Sequence, residues 1–361
     1  MTSINILQIS ILIYASIPFV ANAQTICLTR SKPTSGFHYP ASEIASLIAP
    51  KHRIGILYGE THTIHFEPLF KAQLIQHLNS EFGVRDIFME IGYSAAFLFN
   101  RYLETGDTTF VTRPNLAYLK GEYKQMWSEL YNHNKSLPDT LKLRIHGVDF
   151  ENVEVFKALL LLQPSEKKPS GELEKLFLKI KNFSTDKGAT SRSGFKSAIR
   201  ELRSDMKLRY PELKEFYGEN FVLVRKIIEN DLFSVSTTAR DKSMSKNLEA
   251  VIRDLGIKHF VGFFGAMHTD AQRSTSISNY LNGKAEFKDK IITINSLLFE
   301  AYSLYTKTVL PFIGLVKKEE AAVLFKKYMS NDCRAVLIST AGSDDSMLSK
   351  SSEYYVLAND Q

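Results

Sequence analysis

The sequence predicts an α/β fold with a mostly parallel sheet flanked by helices and a helical insertion. Two observations lead to this prediction. Short, β-rich apolar runs alternate with longer stretches of helical period. Several of the runs are apolar at almost every position, as expected for strands that are covered on both faces. With 361 residues, 44% hydrophobic and 23% charged, the chain is long enough for one large domain, which we place at residues 24–361.

The predicted strands end at the places where the candidate site is expected. In chain order they are Ile54–Tyr58, Ile87–Met89, Leu143–Val148, His259–Phe264, Ile291–Ile294, Ala335–Ile338 and a short strand around Tyr354–Leu357. Helical periods fill the gaps between them. The stretch at about 163–233 is rich in Lys and Glu and has no strand-like run, which predicts a helical insertion. We expect substrate specificity to reside in that insertion.

Residues 1–23 have the features of a secretory signal peptide. They contain no charged side chain and end in Ala21-Asn22-Ala23, a small-x-small cleavage pattern. We therefore expect an exported protein, periplasmic or secreted. An uncleaved membrane anchor is the alternative, since the segment lacks the usual Lys or Arg at its start. No later run approaches the roughly 20 apolar residues that a span needs, so we expect no stable membrane span after cleavage.

Charge and cysteine content limit the remaining classes of function. The 45 Lys and Arg are spread among 39 Asp and Glu, giving a net charge of +6 without a basic stripe. Nucleic acid is therefore not an expected partner, and a small-molecule or peptide substrate is. An oxidising compartment would permit Cys27 and Cys333 to pair, although two unconnected thiols fit the sequence equally well.

Acidic and imidazole side chains follow the first four predicted strands. Ligands bind at the carboxyl ends of strands in open parallel sheets. The side chains delivered to that edge are Glu60 and His62, Glu90, Asp149 and His268. Two of the turns share the pattern Gly-x-x-His, in which glycine permits a tight departure from the strand. His65 could face the same crevice.

These residue types indicate hydrolysis. Two neutral imidazoles and a carboxylate, here His62, His268 and Glu90, could bind a divalent ion of the zinc, manganese or cobalt type, which would activate water. Without a metal, His62 or His268 could act as a general base, oriented by Glu60 or Glu90. Arg240 is the candidate for stabilising negative charge on a carbonyl or phosphoryl oxygen. The sequence has no Gly-x-Ser-x-Gly elbow after a strand, Walker-type loop or Gly-x-Gly-x-x-Gly motif.

At these residues the chain resembles the superfamily of erythromycin esterases, ChaN-like haem-associated lipoproteins and TraB/Tiki metalloproteases. The matching pieces reach from about residue 50 to 300: Gly59-Glu60-Thr61-His62, Glu90, Gly147-Val148-Asp149, Ala239-Arg240-Asp241 with Met244, and Gly265-Ala266-Met267-His268. The resemblance implies an α/β core with inserted helices and a site of paired His and Glu residues with an Arg. In the esterases the first histidine usually lies one residue further from the glutamate and is followed by glycine. His62-Thr63 departs from that pattern, which favours a ChaN-like or Tiki-like arrangement.

We therefore expect an exported hydrolase that cleaves an ester or amide bond. Its candidate catalytic residues are Glu60, His62, Glu90, Asp149, Arg240 and His268. The alternative is an exported haem- or iron-binding protein without catalysis. In that alternative the same histidines would hold the ligand, and Tyr58, Tyr93 or Phe264 would pack against it.

Overall fold

The computed structural model describes residues 25–30, 37–38, 53–111, 121–188, 191–230, 237–328, 335–339 and 352–359. The predicted signal peptide and Cys333 lie outside these residues, and Cys27 is described by its backbone alone. The proposed disulfide and the division into signal peptide, domain and insertion therefore stay predictions. No helix in the described ranges combines the length and the apolar character needed to cross a bilayer.

A single mixed sheet forms the centre of the protein. Its strands are β1 (Thr25–Arg30), β2 (Phe37–His38), β3 (Gly55–Glu60), β4 (Asp86–Met89), β5 (Arg144–Gly147), β6 (Phe260–Gly265), β7 (Ile291–Tyr302), β8 (Val309–Ile313), β9 (Ala335–Ser339) and β10 (Tyr354–Asn359). They are arranged in the order β2-β1-β9-β10-β7-β3-β6-β4-β5, with β8 beside β7. The block from β10 to β5 is parallel throughout, which confirms the predicted α/β class.

Each predicted strand is present, and the antiparallel additions are the part that the sequence did not predict. Strands β1, β2 and β8 pair antiparallel with their neighbours. β7 continues to Tyr302, well beyond the predicted end at Ile294. The residues of β8 are partly exposed and include Pro311. The run is apolar, but its proline cannot donate to a neighbouring strand, so it argues against a strand inside a sheet and fits an edge position.

One face of the sheet is covered by helices α1 (Phe66–Phe82), α2 (Tyr93–Thr105) and α3 (Glu122–Ser136). Alternate strand residues such as Ile56 and Tyr58 point into this core, as the two-residue period of a strand requires. Helix α4 (Glu154–Leu161) follows β5. This packing places α3 next to the carboxyl ends of the strands.

Among the described residues, the region predicted as a helical insertion contains four α-helices and a core of its own. They are α5 (Gly171–Thr185), α6 (Arg192–Leu208), α7 (Tyr210–Tyr217) and α8 (Phe221–Glu229). Their buried residues form one cluster with those of α4, including Phe156 and Leu202. The cluster is separate from the cores on the sheet, so these helices stabilise one another.

The opposite face of the sheet is covered by α9 (Thr237–Leu255) and α11 (Ile277–Asn282), with the short α10 (Ala266–Thr269) directly after β6. Leu57, Phe88 and Phe264 point into this second core. Helix α12 (Lys318–Tyr328) packs near β7, β9 and β10. Both faces of the parallel block are thus buried, in agreement with its continuous apolar runs.

Candidate active site

The candidate site lies at the carboxyl ends of four neighbouring strands, β3, β6, β4 and β5. The backbone register pairs Glu60 with Gly265 and Met89 with Phe263. Because these strands are parallel and adjacent, the turns that follow them open at the same edge of the sheet. The six residues that the sequence marked as catalytic meet there, from positions up to about two hundred residues apart.

Two glycines allow the turns to approach one another. A Cβ atom at Gly59 would lie 2.9 Å from the Cα atom of Ala266 and still closer to the side chains of Asn295 and Thr269. A Cβ atom at Gly265 would lie 2.9 Å from the Nε2 atom of His62. Real Cβ atoms do not come so close, so the absence of a side chain brings His62 over the end of β6.

Glu90 is the centre of the site. Its Oε2 atom lies 3.3 Å from the Nε2 atom of His62 and accepts a 2.7 Å hydrogen bond from the Gly265 amide. Its Oε1 atom lies 3.3 Å from the Nε2 atom of His268 and 2.5 Å from the Nη2 atom of Arg240. One carboxylate therefore joins both imidazoles and the guanidinium.

Each imidazole has a second carboxylate on its other nitrogen. The Nδ1 atom of His62 is 3.0 Å from the Oε1 atom of Glu60. The Nδ1 atom of His268 is 2.7 Å from the Oδ1 atom of Asp241, which is fully buried. A carboxylate on Nδ1 fixes the orientation and tautomer of an imidazole. Both rings therefore present Nε2 to Glu90.

Arg240 lies in the first turn of α9 and connects β4 with β5. It donates from Nε and Nη2 to the carboxylate of Asp149, at 2.9 Å and 2.5 Å, and from Nη2 to Glu90. This bidentate pair fixes the plane of the guanidinium. The Nη1 atom donates to no side chain of the described residues.

The charges of this network shift the pKa values of the side chains that form it. Burial lowers the pKa of His62, but its hydrogen bonds and charge interactions with Glu60 and Glu90 outweigh burial and raise that pKa to about 10. For His268, burial is again the largest influence, and the interactions with Glu90 and Asp241 raise the pKa. Burial raises the pKa of Glu90, but its hydrogen bonds to His268 and His62 bring it well below the ordinary value. His62 is therefore protonated at rest near neutral pH.

A cavity of about 160 Å³ opens beside this network. Its polar lining is formed by Glu60, His62, Lys71, Glu90, Asp149, Asn152 and Glu154. Its apolar wall consists of side chains from β4, β6, α2 and α3, namely Met89, Ala95, Phe99, Met126, Trp127 and Phe263. The helices at 163–233 contribute no residue to it. The sequence placed specificity in those helices, whereas the space next to His62 is shaped by α2 and α3.

Three solved structures resemble the chain over most of its length. A Bacillus cereus protein from a structural-genomics programme matches with a TM-score of 0.64 at 15% identity, covering 94% of this chain and 95% of its own. A succinoglycan biosynthesis protein matches with a TM-score of 0.60 at 13% identity, covering 88% and 90%. A mutant of the erythromycin esterase EreC, in its open conformation, matches with a TM-score of 0.60 at 13% identity, covering 92% and 97%.

The chain has the erythromycin esterase fold. This confirms the resemblance noted in the sequence at the level of the fold. No protein-family model and no curated protein matches the chain in sequence. A haem-bound ChaN of Campylobacter jejuni matches with a TM-score of only 0.36, a likeness too low to bear on the ligand.

In this erythromycin esterase fold, three further residues support the network, although the sequence motifs assign no role to them. Lys71 of α1 is buried and forms an ion pair with the Oε2 atom of Glu60. Burial raises the pKa of Glu60, but Lys71 and His62 outweigh it and lower that pKa to about 2. Asp241 orients His268. The sequence offered one signal for the role of Lys71, namely a charged residue on the largely apolar helix α1.

Glu67 is the third of these residues, and it holds the turn that carries His62. Its Oε1 atom accepts from the Thr61 amide at 2.9 Å and from the Ser296 hydroxyl at 2.7 Å, and its Oε2 atom accepts from the Tyr58 hydroxyl at 2.8 Å. Burial, together with the nearby charge of Glu60, raises the pKa of Glu67 to about 7. The role of Glu67 is to position the turn from inside the core.

Some residues singled out in the sequence lie away from the network. The Nε2 atom of His65 is 3.4 Å from Glu122 of α3, so His65 turns towards that helix instead of Glu90. Tyr58 and Phe264 are fully buried in opposite cores. They are therefore not available to pack against a haem. In the described part of the chain, no group of three or more His, Cys, Asp or Glu side chains is arranged to hold a metal ion.

Proposed function

We propose that the protein is a hydrolase that cleaves an ester bond with a water molecule activated by His62. One observation carries the proposal: His62 and His268, each oriented by its own carboxylate, meet at Glu90 beside a partly apolar cavity. General acid–base catalysis needs an imidazole of fixed tautomer within reach of a substrate space. His62 lines that space, and 42% of its side chain is exposed.

The proposed reaction follows from the positions of the side chains. The Nε2 atom of deprotonated His62 takes a proton from water, and the resulting hydroxide attacks the ester carbonyl. The tetrahedral intermediate then expels the alcohol oxygen, which receives the proton back from His62. Glu60, held by Lys71, orients the ring and stabilises the imidazolium that forms. Atoms and charge balance, with a carboxylic acid and an alcohol as products.

Arg240 and His268 both bind the carboxylate of Glu90. Arg240 is not among the residues that line the cavity, and its hydrogen bonds hold Glu90 and Asp149, which do line it, in place. His268 is buried and does not line the cavity. It holds Glu90 in place and is itself held by Asp241. Glu90 in turn keeps His62 protonated at rest, so the rate should rise with pH as His62 loses its proton.

A divalent ion would be another way to activate the water, with His62, His268 and Glu90 as its ligands. Such an ion would lower the pKa of a bound water to about 7. Both Nε2 atoms, however, are directed at the oxygens of Glu90, so the three side chains bind one another. Elemental analysis of the purified protein, with activity before and after chelation, tests this route.

The haem-binding alternative has weaker support. Pockets that enclose a drug-sized ligand have volumes of roughly 300–1,000 Å³, and the cavity beside His62 has about 160 Å³. A haem would have to bind outside it, without Tyr58 or Phe264. Titration with haem, followed by the Soret absorbance, would detect such binding.

The decisive experiment compares three histidine variants on a panel of 4-nitrophenyl esters and peptides. We expect His62→Ala to lose at least about 100-fold in kcat/KM, the usual contribution of a general base. His268→Ala should also lose activity, because Glu90 is released. His259→Ala is the matched control, since His259 is exposed before β6. Full activity in His62→Ala would refute the proposal.

We also propose that the protein is exported, on the strength of the segment 1–23. Expression of the full chain in a Gram-negative host, followed by fractionation and mass analysis, tests this. Export with cleavage predicts a periplasmic or secreted protein that begins at Gln24. A protein in the cytosol that retains Met1 would contradict it.

A further inference from the structure

The reaction proposed for His62 places negative charge on the carbonyl oxygen of the ester. Enzymes that form such an oxyanion stabilise it with hydrogen-bond donors that are already in position. Arg240, which the sequence favoured for this role, does not line the cavity. Among the described residues that do line it, the basic side chains are His62 and Lys71. Since His62 serves as the general base, Lys71 is the cation that remains for the oxygen.

Lys71 has donors left for a ligand. Its ammonium forms an ion pair with the Oε2 atom of Glu60 and lies 5.1 Å from the centroid of the Phe263 ring. In the described part of the chain, Glu60 is the one carboxylate that it contacts. An ammonium carries three N–H donors, and an aromatic ring attracts the cation without replacing an oxygen acceptor. The ammonium can therefore bind a ligand oxygen while it keeps Glu60.

The cavity gives a ligand access to this ammonium. The Lys71 side chain is 3% exposed, and Lys71 lines the cavity. Among the described residues, the fully enclosed polar atoms without a hydrogen-bond partner include the Nε1 atom of Trp127 but not the Nζ atom of Lys71. A charge that is so little hydrated interacts more strongly with a developing oxyanion than an ammonium in water does.

Glu60 places the general base and the ammonium beside one another. Its Oε1 atom is 3.0 Å from the Nδ1 atom of His62, and its Oε2 atom contacts Lys71. Both partners line the same cavity. A carbonyl group in that cavity can therefore meet a water held by His62 on its carbon and the ammonium of Lys71 on its oxygen.

We propose that Lys71 is a catalytic residue, whose ammonium donates to the carbonyl oxygen of the substrate and stabilises the oxyanion. The proposal deepens the proposed function, on which it rests for the water that His62 activates. As the bond from water to carbon forms, the π electrons of the carbonyl move to its oxygen, which accepts from Lys71. When the alcohol leaves, the carbonyl re-forms and Lys71 keeps all its protons. Because this charge develops only after binding, Lys71 acts on kcat more than on KM.

Kinetics on 4-nitrophenyl acetate give the first test. We expect Lys71→Met to lose about 100-fold or more in kcat with little change in KM, the cost of removing one oxyanion donor. Lys157→Met is the matched control, because Lys157 also holds its ammonium over a phenylalanine ring, that of Phe110, and does not line the cavity. Full kcat in Lys71→Met would overturn the proposal.

Two inert probes separate a contact with the substrate from a role through Glu60 alone. 4-Nitrophenyl methylphosphonate is a stable anion with the shape of the tetrahedral intermediate, and 4-nitroacetanilide is a neutral carbonyl compound of similar size. The variant Glu60→Gln/Lys71→Met removes one charge of each sign, so the net charge of the site is kept and no buried charge loses its partner. Calorimetric titrations at about pH 5.5, below the ordinary pKa of histidine, keep His62 protonated.

We expect the double variant to bind the phosphonate about 10- to 100-fold more weakly than the wild type does, the loss of one charge-assisted hydrogen bond. Binding of the neutral amide should not change. An unchanged phosphonate affinity would show that Lys71 acts through Glu60 alone and would overturn the proposal. An equal loss of both probes would also contradict it, because the cavity and not a donor would then be lost.

The role of Lys71 and the proposed reaction can fail separately. If esters are hydrolysed by a His62-dependent reaction and Lys71→Met keeps full kcat, the role of Lys71 is wrong and the reaction stands. If the phosphonate binds through Lys71 but no ester is hydrolysed, the proposed function is wrong, and with it the catalytic role of Lys71, while the anion contact stands.

Discussion

At the scale of single residues, the site is a set of charges that hold one another in place. Glu90 accepts from two imidazoles, a guanidinium and a backbone amide. The sequence identified this residue, since strand ends are where parallel sheets present their chemistry. It did not identify Lys71 or Glu67. Both are buried on α1, and they contact the site from the core and not from a strand end. Such support depends on packing, which a motif does not describe.

Asp241 provides a prediction at this scale. Replacing it by asparagine leaves the size unchanged but removes the charge that orients His268. We expect Asp241→Asn to reduce kcat by about 10- to 100-fold, the loss typical when a carboxylate that orients a functional imidazole is removed. Asp254→Asn on the same helix is the control, because Asp254 forms an exposed pair with Lys226. An Asp241→Asn protein with wild-type kcat would show that His268 needs no such orientation.

At the scale of elements, the strands of the parallel block and the antiparallel β9 were predictable from their apolar runs, whereas the antiparallel strands β1, β2 and β8 were not. β3, β4 and β6 are apolar at nearly every position because helices cover both of their faces. β8 is partly exposed beside the end of β7, so its strand character comes from its partner. The cavity wall on α3 also escaped prediction, because Tyr123, Met126 and Trp127 resemble any buried helix face.

The two Gly-x-x-His turns give a prediction at this scale. Gly59→Ala introduces a Cβ atom against the backbone of Ala266, so we expect a loss of about 1–3 kcal/mol in the free energy of unfolding. Gly265→Ala introduces a Cβ atom against His62, so we expect activity to fall at least about tenfold with a smaller loss of stability. Urea unfolding and ester hydrolysis measure the two effects.

A third glycine is the control for this pair. At Gly283 the nearest atoms to an added Cβ lie at 3.4 Å and the backbone φ is −71°, so Gly283→Ala should change neither property appreciably. Should Gly265→Ala keep full activity, the close approach of the two turns would be irrelevant to the site.

At the scale of the whole molecule, the network at the sheet edge couples stability to pH. The folded protein raises the pKa of His62 to about 10 from its ordinary 6.5, so it binds this proton more tightly than the unfolded chain does. The resulting stabilisation is complete below about pH 6.5 and is lost as the pH rises towards 10. Glu60, with its pKa lowered to about 2 from 4.5, contributes stability above pH 4.5 that is lost in acid.

The difference in the free energy of unfolding between the wild type and His62→Gln isolates the contribution of His62. We expect His62→Gln to destabilise the protein most at about pH 5.5 and progressively less towards and above pH 10, where the wild-type imidazole loses its proton. Urea unfolding at several pH values measures this, with His259→Gln, at an exposed position, as the control. A destabilisation of the same size at every pH would mean that His62 is not held as a cation.

The pH dependence of kcat/KM for a 4-nitrophenyl ester, in the wild type and in Glu90→Gln, tests most directly whether Glu90 controls a His62-dependent hydrolysis. This parameter reports the pKa of groups in the free enzyme. The wild-type rate should rise with pH to a midpoint near the pKa of about 10 of His62. Removing the negative charge of Glu90 should move that midpoint to lower pH, because the imidazolium loses a partner. A midpoint near 6.5 in the wild type, or one that does not move in Glu90→Gln, would contradict the proposed role of Glu90.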